Sequence, residues 1–540
     1  MANAFLTLDG VSYVLPDGRT LFSSLNESFD LRRTGLVGRN GVGKSVLSRI
    51  LAGQLQPSSG RCLRSGRVHY LAQQAGPRPG ATVAALAGVQ PTIEALARIE
   101  GGSAAVADFE AVGERWDIRQ RLEHALQDQG LAHLAPDTPA QRLSGGEAMR
   151  VALVGALLSE AGFLILDEPS NHLDRPGRRA LVDLLRAWPR GLLVVSHDRD
   201  LLQGLERIVE LSPQGLRSYG GNYSFYAHSK AQAQQSAQAQ LQQCKLERRQ
   251  HEDALREQRE RCSRRQARGD RQGKQANQAK ILLGRQKERS EASAGRLRLV
   301  QAQLQQQHAQ RVRDAAQQVE DAMPIVLHAL PPPAAMPHRC VELDAVALPW
   351  VAAPTRHISL SLGGAQRVGV LGPNGCGKST LLQLLAGRMA PLAGTCRITP
   401  ARVYLDQQLT QLSATSSAFE QLRAVHRTAS DGELRMRLAQ LGLDARKAMV
   451  PAGALSGGER LKAALACVLY AQVPPQLLLL DEPSNHLDLP SLEALETLLC
   501  HYRGTLVVVS HDESFLHRLA LTDALVASEQ GWALQAWHSR

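Results

Sequence analysis

The sequence predicts two similar α/β halves with parallel sheets, joined by a long helical hairpin. Residues 1–228 and 323–540 contain the same short motifs in the same order. Each motif begins or ends a short apolar run, as expected at the edge of a buried parallel sheet. Residues 229–322 are instead rich in Gln, Ala, Arg and Glu with sparse apolar residues, which is typical of long solvated helices. We therefore predict three domains with these bounds.

Length and charge limit the functions that the chain can have. A chain of 540 residues is too long for a single hydrophobic core. The net charge is +11, and residues 230–320 hold 20 Lys and Arg against 10 Asp and Glu, a net +10. This one-sided surplus favours a polyanionic partner, although a solvated linker without a partner is the alternative. The aromatic content of 4% argues against the base-stacking surface of single-strand binders.

The hairpin is predicted to turn back at Gly269 and Gly273, because glycine weakens a helix. Its first helix, from Lys230 to Gln266, would reach about 55 Å at about 1.5 Å per residue. Positive charge is densest around this predicted tip, from Arg261 to Lys287, where Asp270 is the single acid.

The cysteines and the apolar runs bear on localisation. The eight cysteines form no CxxC pair, so we expect reduced thiols in a cytoplasmic protein, with no zinc site. The amino-terminal residues do not resemble a secretory signal. One uncharged stretch, 463–480, reaches membrane-spanning length, but Pro474 and Pro475 interrupt it. We predict no transmembrane segment.

Two glycine-rich loops, residues 38–45 and 372–379, follow apolar runs and precede helices. In that context backbone amides and a helix N-terminus surround a nucleotide phosphate. A lysine in each loop would reach the β- and γ-phosphates, and the serine after it would bind Mg²⁺. The predicted phosphate-binding residues are Gly38, Asn40, Gly41, Gly43, Lys44 and Ser45 in the first loop, and Gly372, Asn374, Gly375, Gly377, Lys378, Ser379 and Thr380 in the second. The first loop has Val46 in place of the second loop's threonine, so it lacks one hydroxyl.

Each half next contains an apolar run of four residues that ends in Asp and Glu, and a histidine 29 residues after that Glu. A buried strand delivers such acids to the carboxyl edge of the sheet, where ligands bind. The Asp would hold Mg²⁺ through water, the Glu would orient or deprotonate the attacking water, and the His would sense the γ-phosphate. A helix cap is the alternative role for the acids. The residues are Asp167, Glu168 and His197 in the first half, and Asp481, Glu482 and His511 in the second.

Between loop and acids, each half has the run Leu-Ser-Gly-Gly-Glu, at residues 143–147 and 455–459. A helix-forming run follows each, so the Ser and Gly lie at a helix N-terminus directed at an anion. With these signatures, both flanks of the linker resemble the ATP-binding cassette ATPases.

The resemblance implies that each ATP lies between the phosphate loop of one cassette and the signature of the other, giving two ATP per chain. It also identifies Gln73 and Gln407 as metal-contacting glutamines. One site would combine Lys44, Ser45, Gln73, Asp167, Glu168 and His197 with Ser456 and Gly458. The other would combine Lys378, Ser379, Gln407, Asp481, Glu482 and His511 with Ser144 and Gly146. Tyr13 resembles the residue that stacks on adenine in the first cassette, and Leu348 and Trp350 are both candidates in the second.

The two cassettes differ in length in one place. From Lys44 to Lys378 the offset is 334 residues, but from Ser144 to Ser456 it is 312. The first cassette therefore has 22 more residues before its signature. We favour a longer helical subdomain over a protruding arm.

Two fused cassettes with a basic helical linker resemble the ABC-F class, soluble ATPases many of which act on ribosomes. Residues 220–226 resemble that class's boundary motif, and residues 276–283 resemble its linker core. The resemblance implies ATP hydrolysis by a monomer whose cassettes pair within the chain. It also implies ribosome binding as a translation factor or a ribosome-protection protein, with a linker that contacts tRNA or rRNA. Charge near the predicted tip fits phosphate contacts that read no sequence. The candidate RNA contacts are Arg261, Arg264, Arg265, Arg268, Arg271 and Lys274.

Three other functions share the cassette motifs. The ATPase subunit of a transporter with separate membrane chains would have them, but has no use for a basic hairpin. A DNA-associated ATPase would use the basic charge. A scaffold that binds ATP without hydrolysing it is the third, and a phosphate-release assay distinguishes it.

Overall fold

A computed structural model of the chain describes residues 6–72, 80–159, 161–171, 173–275, 301–316, 338–485 and 487–537. The chain divides into two units. One contains Met1–Phe225 together with Ile325–Arg540, and the other is Tyr226–Pro324. The first unit thus holds both predicted cassettes, and the second holds the linker.

The first cassette is built on a six-stranded sheet in which one edge strand is antiparallel and the other strands are parallel. In spatial order its strands are β5 (Val68–Leu71), β6 (Phe163–Asp167), β7 (Gly191–Val195), β3 (Arg33–Val37), β8 (Arg207–Ser212) and the antiparallel β9 (Gly215–Tyr219). A second, antiparallel sheet contains β2 (Thr20–Phe29), β1 (Leu6–Val14) and β4 (Ser59–Arg64). The helices are α1 (Lys44–Leu51), α2 (Val83–Leu86), α3 (Gln90–Glu100), α4 (Val106–Val112), α5 (Ile118–Asp128), α6 (Gly145–Leu158), α7 (Arg175–Ala187) and α8 (Arg199–Gln203).

The second cassette repeats this topology strand for strand. Its large sheet has the order β14 (Arg402–Leu405), β15 (Leu477–Asp481), β16 (Thr505–Val509), β12 (Arg367–Leu371), β17 (Asp523–Ser528) and the antiparallel β18 (Gly531–Ala536). Its small sheet contains β11 (His357–Gly363), β10 (Arg339–Ala347) and β13 (Ala393–Ile398). Its helices are α11 (Lys378–Leu385), α12 (Ala418–Val425), α13 (Asp431–Gln440), α14 (Ala445–Met449), α15 (Gly457–Leu469), α16 (Leu489–His501) and α17 (Glu513–Arg518). The predicted tandem α/β fold is confirmed.

The strand order brings the motifs of each half to one edge of its sheet. Strand β3 runs into the phosphate loop, and its parallel neighbour β7 pairs in turn with β6. All five residues of β6 are buried, because helices or the second sheet cover both faces of a parallel sheet. Asp167 at the end of β6 therefore lies beside the end of β7, from which the chain continues to His197.

The additional 22 residues of the first cassette form part of a packed helical subdomain, as favoured from the sequence. Leu96 of α3, Val112 of α4, Leu122 of α5 and Val151 of α6 are buried in one apolar cluster. The helices therefore share a core and do not form a separate arm.

The linker unit contains two antiparallel helices. They are α9 (Tyr223–Gln275), whose first three residues belong to the cassette unit, and α10, the helical residues 301–316. Three contacts set their register. Gln301 donates to Gln258 at 3.3 Å, Arg311 pairs with Glu247 at 3.2 Å, and the rings of His251 and His308 are 5.0 Å apart. Because the numbers rise along one helix as they fall along the other, the helices run in opposite directions.

The predicted reversal at Gly269 and Gly273 is wrong. Helix α9 has 53 residues and continues through both glycines to Gln275. A single glycine costs a helix only about 1 kcal/mol relative to alanine, which the helix-forming residues around it outweigh. The predicted linker core, 276–283, lies outside the described residues. Among the helices that the structure describes, none combines the length and apolar character needed to span a membrane.

Candidate functional site

The two phosphate loops have the backbone conformation that their glycines permit. Gly43 and Gly377 directly precede helices α1 and α11 and have φ values of 103° and 96°, in the left-handed region. A Cβ at Gly43 would lie 2.9 Å from the ring of Phe22, and one at Gly377 would lie 2.7 Å from Val351. Both positions therefore require glycine for conformation and for space.

The lysine of each loop folds back over the loop. The Nζ of Lys44 donates to the carbonyl oxygen of Gly38 at 2.8 Å, and that of Lys378 donates to Gly372 at 2.9 Å. Both lysines are buried, and burial lowers the pKa of Lys44. Lys44 Nζ also donates to the Oδ1 atom of Asn40 at 3.4 Å. Each loop thus holds an ammonium group over its own polar atoms, as a phosphate site needs.

The aspartates at the strand ends are oriented by a tyrosine in each half. Tyr70 donates to Asp167 Oδ2 at 3.1 Å, and Tyr404 donates to Asp481 Oδ2 at 3.1 Å. The serines of the phosphate loops, Ser45 and Ser379, also hydrogen-bond to these carboxylates, whose pKa values are raised by burial.

These oxygens fit a magnesium ion. Asp167 Oδ1 is buried and has no hydrogen-bond partner among the described residues. A buried carboxylate oxygen without a partner, next to a serine hydroxyl, is the hard oxygen donor set that Mg²⁺ prefers. The residues present therefore suit this ion in the first cassette.

The glutamates that follow have an unusual backbone. Glu168 and Glu482 have φ values of 50° and 48°, in the left-handed region that non-glycine residues rarely adopt. Their amides donate to the carbonyl oxygens of Val195 and Val509 at 2.8 and 2.9 Å, which holds this conformation. Such strain in the same place in both halves indicates a functional position.

The same glutamates are poorly hydrated. Burial raises the pKa of Glu168 to about 8 and that of Glu482 to about 7. Each is therefore close to the balance between acid and base near neutral pH, which suits a group that accepts a proton.

The two histidines are beside the glutamates. His197 Nε2 is 3.5 Å from Glu168 Oε1, and His511 Nε2 is 3.5 Å from Glu482 Oε1. His511 Nε2 also lies 3.1 Å from Asn374 Oδ1 in the second phosphate loop. Burial is the main cause that lowers both histidine pKa values to about 3, so the rings are neutral near pH 7.

A cavity of about 320 Å³ unites the predicted residues of the second site. It is lined by the phosphate-loop residues, the paired acids and Trp350, and by Leu173 and Arg178 from the first cassette. The predicted residues that line it are Asn374, Gly375, Gly377, Lys378, Ser379, Thr380, Gln407, Asp481, Glu482 and His511. This cavity has the composition of a nucleotide site at the junction of two cassettes.

The ABC transporter family model matches residues 28–171 and 355–485, which together cover half of the chain. The chain belongs to the ATP-binding cassette family. Its relatives include the tylosin resistance ATP-binding protein TlrC of Streptomyces fradiae, 32% identical over 95% of both chains. The energy-dependent translational throttle protein EttA of Mycobacterium tuberculosis is 30% identical, over 90% of this chain and 85% of its own. The probable ATP-binding protein YheS of Escherichia coli is 29% identical, over 90% of this chain and 73% of its own.

These relatives place the chain in the ABC-F subfamily of cassette ATPases. A solved archaeal ribosome recycling factor, in complex with a ribosomal stalk protein, has the same fold. It aligns over 97% of this chain and 89% of its own with a TM-score of 0.58 and 19% identity. The chain is an ATPase with two cassettes, as predicted.

The signature serines of this cassette protein cap the helices that follow them. Ser144 accepts a hydrogen bond from the amide of Glu147 at the start of α6, and Ser456 accepts one from Glu459 at the start of α15. Among the described residues that line the second-site cavity, Ser144 and Gly146 do not occur. Their contact with the opposite ATP stays a prediction.

The structure separates the two adenine-stacking candidates of the second cassette. Leu348 is fully buried in the apolar core, whereas Trp350 is 88% exposed and lines the cavity. In the first cassette Tyr13 is half-buried, and its ring centroid is 6.3 Å from that of Phe22, the residue packed on Gly43. Trp350 is thus the candidate that can reach a base.

Some predicted residues fall outside what the structure describes. Gln73 is one of these, so the predicted metal-contacting glutamine is described only in the second cassette, as Gln407. Of the candidate RNA contacts, Arg264 and Arg268 are exposed, and Arg261 is exposed while paired with Glu257 at 3.2 Å. The remaining three side chains are not described: Arg265, Arg271 and Lys274.

Sequence reasoning missed one residue that reaches the first site. Asp488 of the second cassette accepts a hydrogen bond from the amide of Asn40 at 2.9 Å. It also caps α16 by accepting from the amide of Ser491. Asp488 ends the run Ser-Asn-His-Leu-Asp at residues 484–488, which also occurs at residues 170–174, but a repeated run does not show which phosphate loop its aspartate contacts.

Proposed function

We propose that this ABC-F protein is a cytoplasmic translation factor that acts as a monomer. ATP binding and hydrolysis between its cassettes would control its attachment to the ribosome, where the basic linker contacts tRNA or rRNA. The observation that carries the proposal is the position of the charge, since nearly all the net positive charge of the chain lies in the helical linker. The names of two relatives support it: one is a translational throttle protein, and the other is a tylosin resistance protein.

In this proposal each ATP is bound by residues from both cassettes. When ATP binds, Lys44 and Lys378 would give up their hydrogen bonds to loop carbonyls and donate to the β- and γ-phosphates instead. The amides of Asn40 and Asn374 belong to the same loops. Magnesium, held by Ser45 and Asp167 or by Ser379 and Asp481, would neutralise phosphate charge. Ser456 and Gly458 would complete the first site, and Ser144 and Gly146 the second.

Hydrolysis is assigned to the strained glutamates. With pKa values of about 8 and 7, Glu168 and Glu482 can take a proton from an attacking water without a further base. The neutral His197 and His511 each have an N–H to donate to the γ-phosphate. In the second site Trp350 would stack on the adenine, and Tyr13 would do so in the first.

The linker would position the protein on RNA by contacting phosphates. Arg261, Arg264 and Arg268 are exposed on α9, and guanidinium groups bind phosphate without reading sequence. Closure of the cassettes around ATP would select one posture of the hairpin, and hydrolysis would release it.

The test traps the closed state. Glu168→Gln combined with Glu482→Gln removes both bases while leaving both phosphate loops intact. With ATP, this variant is expected to sediment with ribosomes, whereas the wild type or the variant with ADP stays in the supernatant. The same variant carrying Lys44→Ala and Lys378→Ala is the matched control and should not be retained.

If ATP does not increase retention of the trapped variant, the ribosome assignment fails and only the ATPase remains. If duplex DNA retains it in place of ribosomes, the alternative DNA-associated function is supported. Association with a membrane fraction would instead favour the transporter subunit.

A further inference from the structure

The two cassettes meet around a pair of equivalent residues. Ser514 in α17 donates to Asp200 in α8 at 2.8 Å. Asp200 is the second residue of α8, and Ser514 is the second residue of α17. The two are 314 positions apart in the sequence, and the same offset relates His197 to His511. The contact therefore joins equivalent positions of the two cassettes. Residues on one side of it have equivalents on the other side, and the two sets can be compared position by position.

On one side of this contact is a buried ion pair. Arg199 of the first cassette pairs with Glu496 of the second, and their side chains are 3% and 7% exposed. Tyr223 of the first cassette accepts from Arg199 Nε at 3.1 Å, and Arg518 of the second lies 3.3 Å from Glu496. Each charge is thus held by its own cassette and neutralised by the other.

On the other side, the signs are exchanged. Glu513 of the second cassette occupies the position equivalent to Arg199, and it pairs with Arg175 at 2.7 Å and Arg179 at 3.3 Å in the first cassette. The side chains of Glu513 and Arg175 are partly exposed, and that of Arg179 is exposed. The first cassette therefore presents arginine on both sides, and the second presents glutamate on both sides.

The helices that carry these residues have opposite charge. Helix α7 has four arginines and one aspartate, whereas the equivalent α16 has two glutamates and no Lys or Arg. In a pair of two first cassettes, Arg199 would face Arg179 and Val182, the equivalents of Glu493 and Glu496. A buried guanidinium would then have a like charge and an apolar group in place of its carboxylate.

In a pair of two second cassettes, the repulsion would be between carboxylates. Glu513 would face Glu493 and Leu489, the equivalents of Arg179 and Arg175. Like charges across an interface cost free energy and suppress the wrong partner.

We propose that this surface carries a charge code by which the first cassette accepts only a second cassette, so that two chains do not pair through like cassettes. The deciding residues are Arg199 and Glu496 on one side, and Glu513 with Arg175 and Arg179 on the other. The proposal concerns assembly of the ATP sites and is independent of the role on the ribosome.

The first experiment reverses the partly exposed side, using the full chain. Glu513→Arg is expected to lower ATP turnover about fivefold or more, because an arginine would face two arginines. Arg175→Glu with Arg179→Glu in the same chain should restore turnover to within about twofold, since a coupled pair departs from additivity. Glu529→Arg, an exposed change of equal charge in the turn before β18, is the control and should leave turnover unchanged.

Two outcomes would overturn the code. One is equal turnover by Glu513→Arg and Glu529→Arg, and the other is a triple variant no more active than Glu513→Arg alone.

The second experiment identifies the partner directly by disulfide trapping with ATP, in a Cys500→Ser background that removes an exposed native thiol. Asp200→Cys with Ser514→Cys should form a crosslink within one chain. With Asp200→Cys alone or Ser514→Cys alone, a crosslink can form only between two like cassettes of different chains. Neither single variant is expected to yield more crosslinked chain dimers than the Cys500→Ser protein itself. Dimer formation by either single variant, as efficient as the crosslink within one chain, would show that like cassettes pair and would refute the proposal.

Discussion

At the scale of single residues, the conformation of the two glutamates is the feature with the clearest functional meaning. A left-handed backbone costs a residue with a Cβ about 1–3 kcal/mol. Both Glu168 and Glu482 adopt it, and the same backbone hydrogen bond to β7 or β16 maintains it. The conformation directs a carboxylate from the end of a buried strand into the site, where water is scarce.

The poor hydration of Glu482 should appear in stability. Its folded-state pKa of about 7 lies above the ordinary 4.5, so folding favours the protonated acid, and the cost of ionising it is absent below about pH 4.5 and complete above about pH 7. Glu482→Gln, which mimics the neutral acid, should therefore be about 1–3 kcal/mol more stable than wild type at pH 8. The difference should vanish near pH 4.5.

Unfolding free energies from urea titrations at both pH values measure this effect. Glu529→Gln is the matched control, because its exposed carboxyl should give no difference at either pH. A difference for Glu482→Gln that does not change with pH would contradict the assigned cause.

Trp350 should determine adenine affinity at the second site. In a Glu168→Gln background only that site turns over, and Trp350→Ala should raise KM for ATP about tenfold, the equivalent of one base–aromatic stack. Trp350→Phe keeps an aromatic face and should remain near the parent value. Because the side chain is 88% exposed, neither change should unfold the protein. An unaltered KM in Trp350→Ala would exclude stacking by this residue.

At the scale of elements, helix α9 shows that two glycines are not enough to end a long helix. The sequence predicted a reversal at Gly269 and Gly273 from propensity alone, but a penalty of about 1 kcal/mol each does not end a helix whose other residues favour it. The hairpin itself was predictable from composition. Its register, set by contacts such as Arg311 with Glu247, was not, because no pattern in a polar helix specifies its partner.

The continuous helix makes a testable difference. Gly269→Ala and Gly273→Ala should each stabilise α9 by about 0.5–1 kcal/mol, since alanine is the better helix former. Amide hydrogen exchange in residues 261–275 should slow accordingly, while ATP turnover stays at the wild-type value. Faster exchange would mean that these glycines do take a turn conformation that alanine resists.

At the scale of the whole molecule, the charge distribution predicts how the proposed RNA contact responds to salt. Ribosome binding by the ATP-trapped variant should weaken as salt rises, because each phosphate contact releases counterions. Arg264→Gln and Arg268→Gln should each reduce the slope of log affinity against log salt by about 1 or less. Arg397→Gln, an exposed arginine of β13, removes the same charge from a cassette and should leave the slope unchanged. Equal effects of all three changes would point to net charge in place of a specific contact.

Much of this architecture was predictable because the sequence contains the same motifs in the same order in both halves. Motifs such as the phosphate loops identified both sheets and the edge at which Lys378, Asp481 and His511 meet. Contacts between the halves were not predictable, since Arg199 and Glu496 are distant in sequence and neither belongs to a motif. The choice between Leu348 and Trp350 also needed the fold, because only their burial separates them.

The hydrogen bond from the amide of Asn40 to Asp488 joins the N-terminal end of α16 to the first phosphate loop. Glu496 lies about two turns further along the same helix. A γ-phosphate that displaced this carboxylate would act on the first turn of α16, the helix that also holds Glu496 against Arg199. The first phosphate loop and the buried ion pair between the cassettes are therefore connected by a single helix.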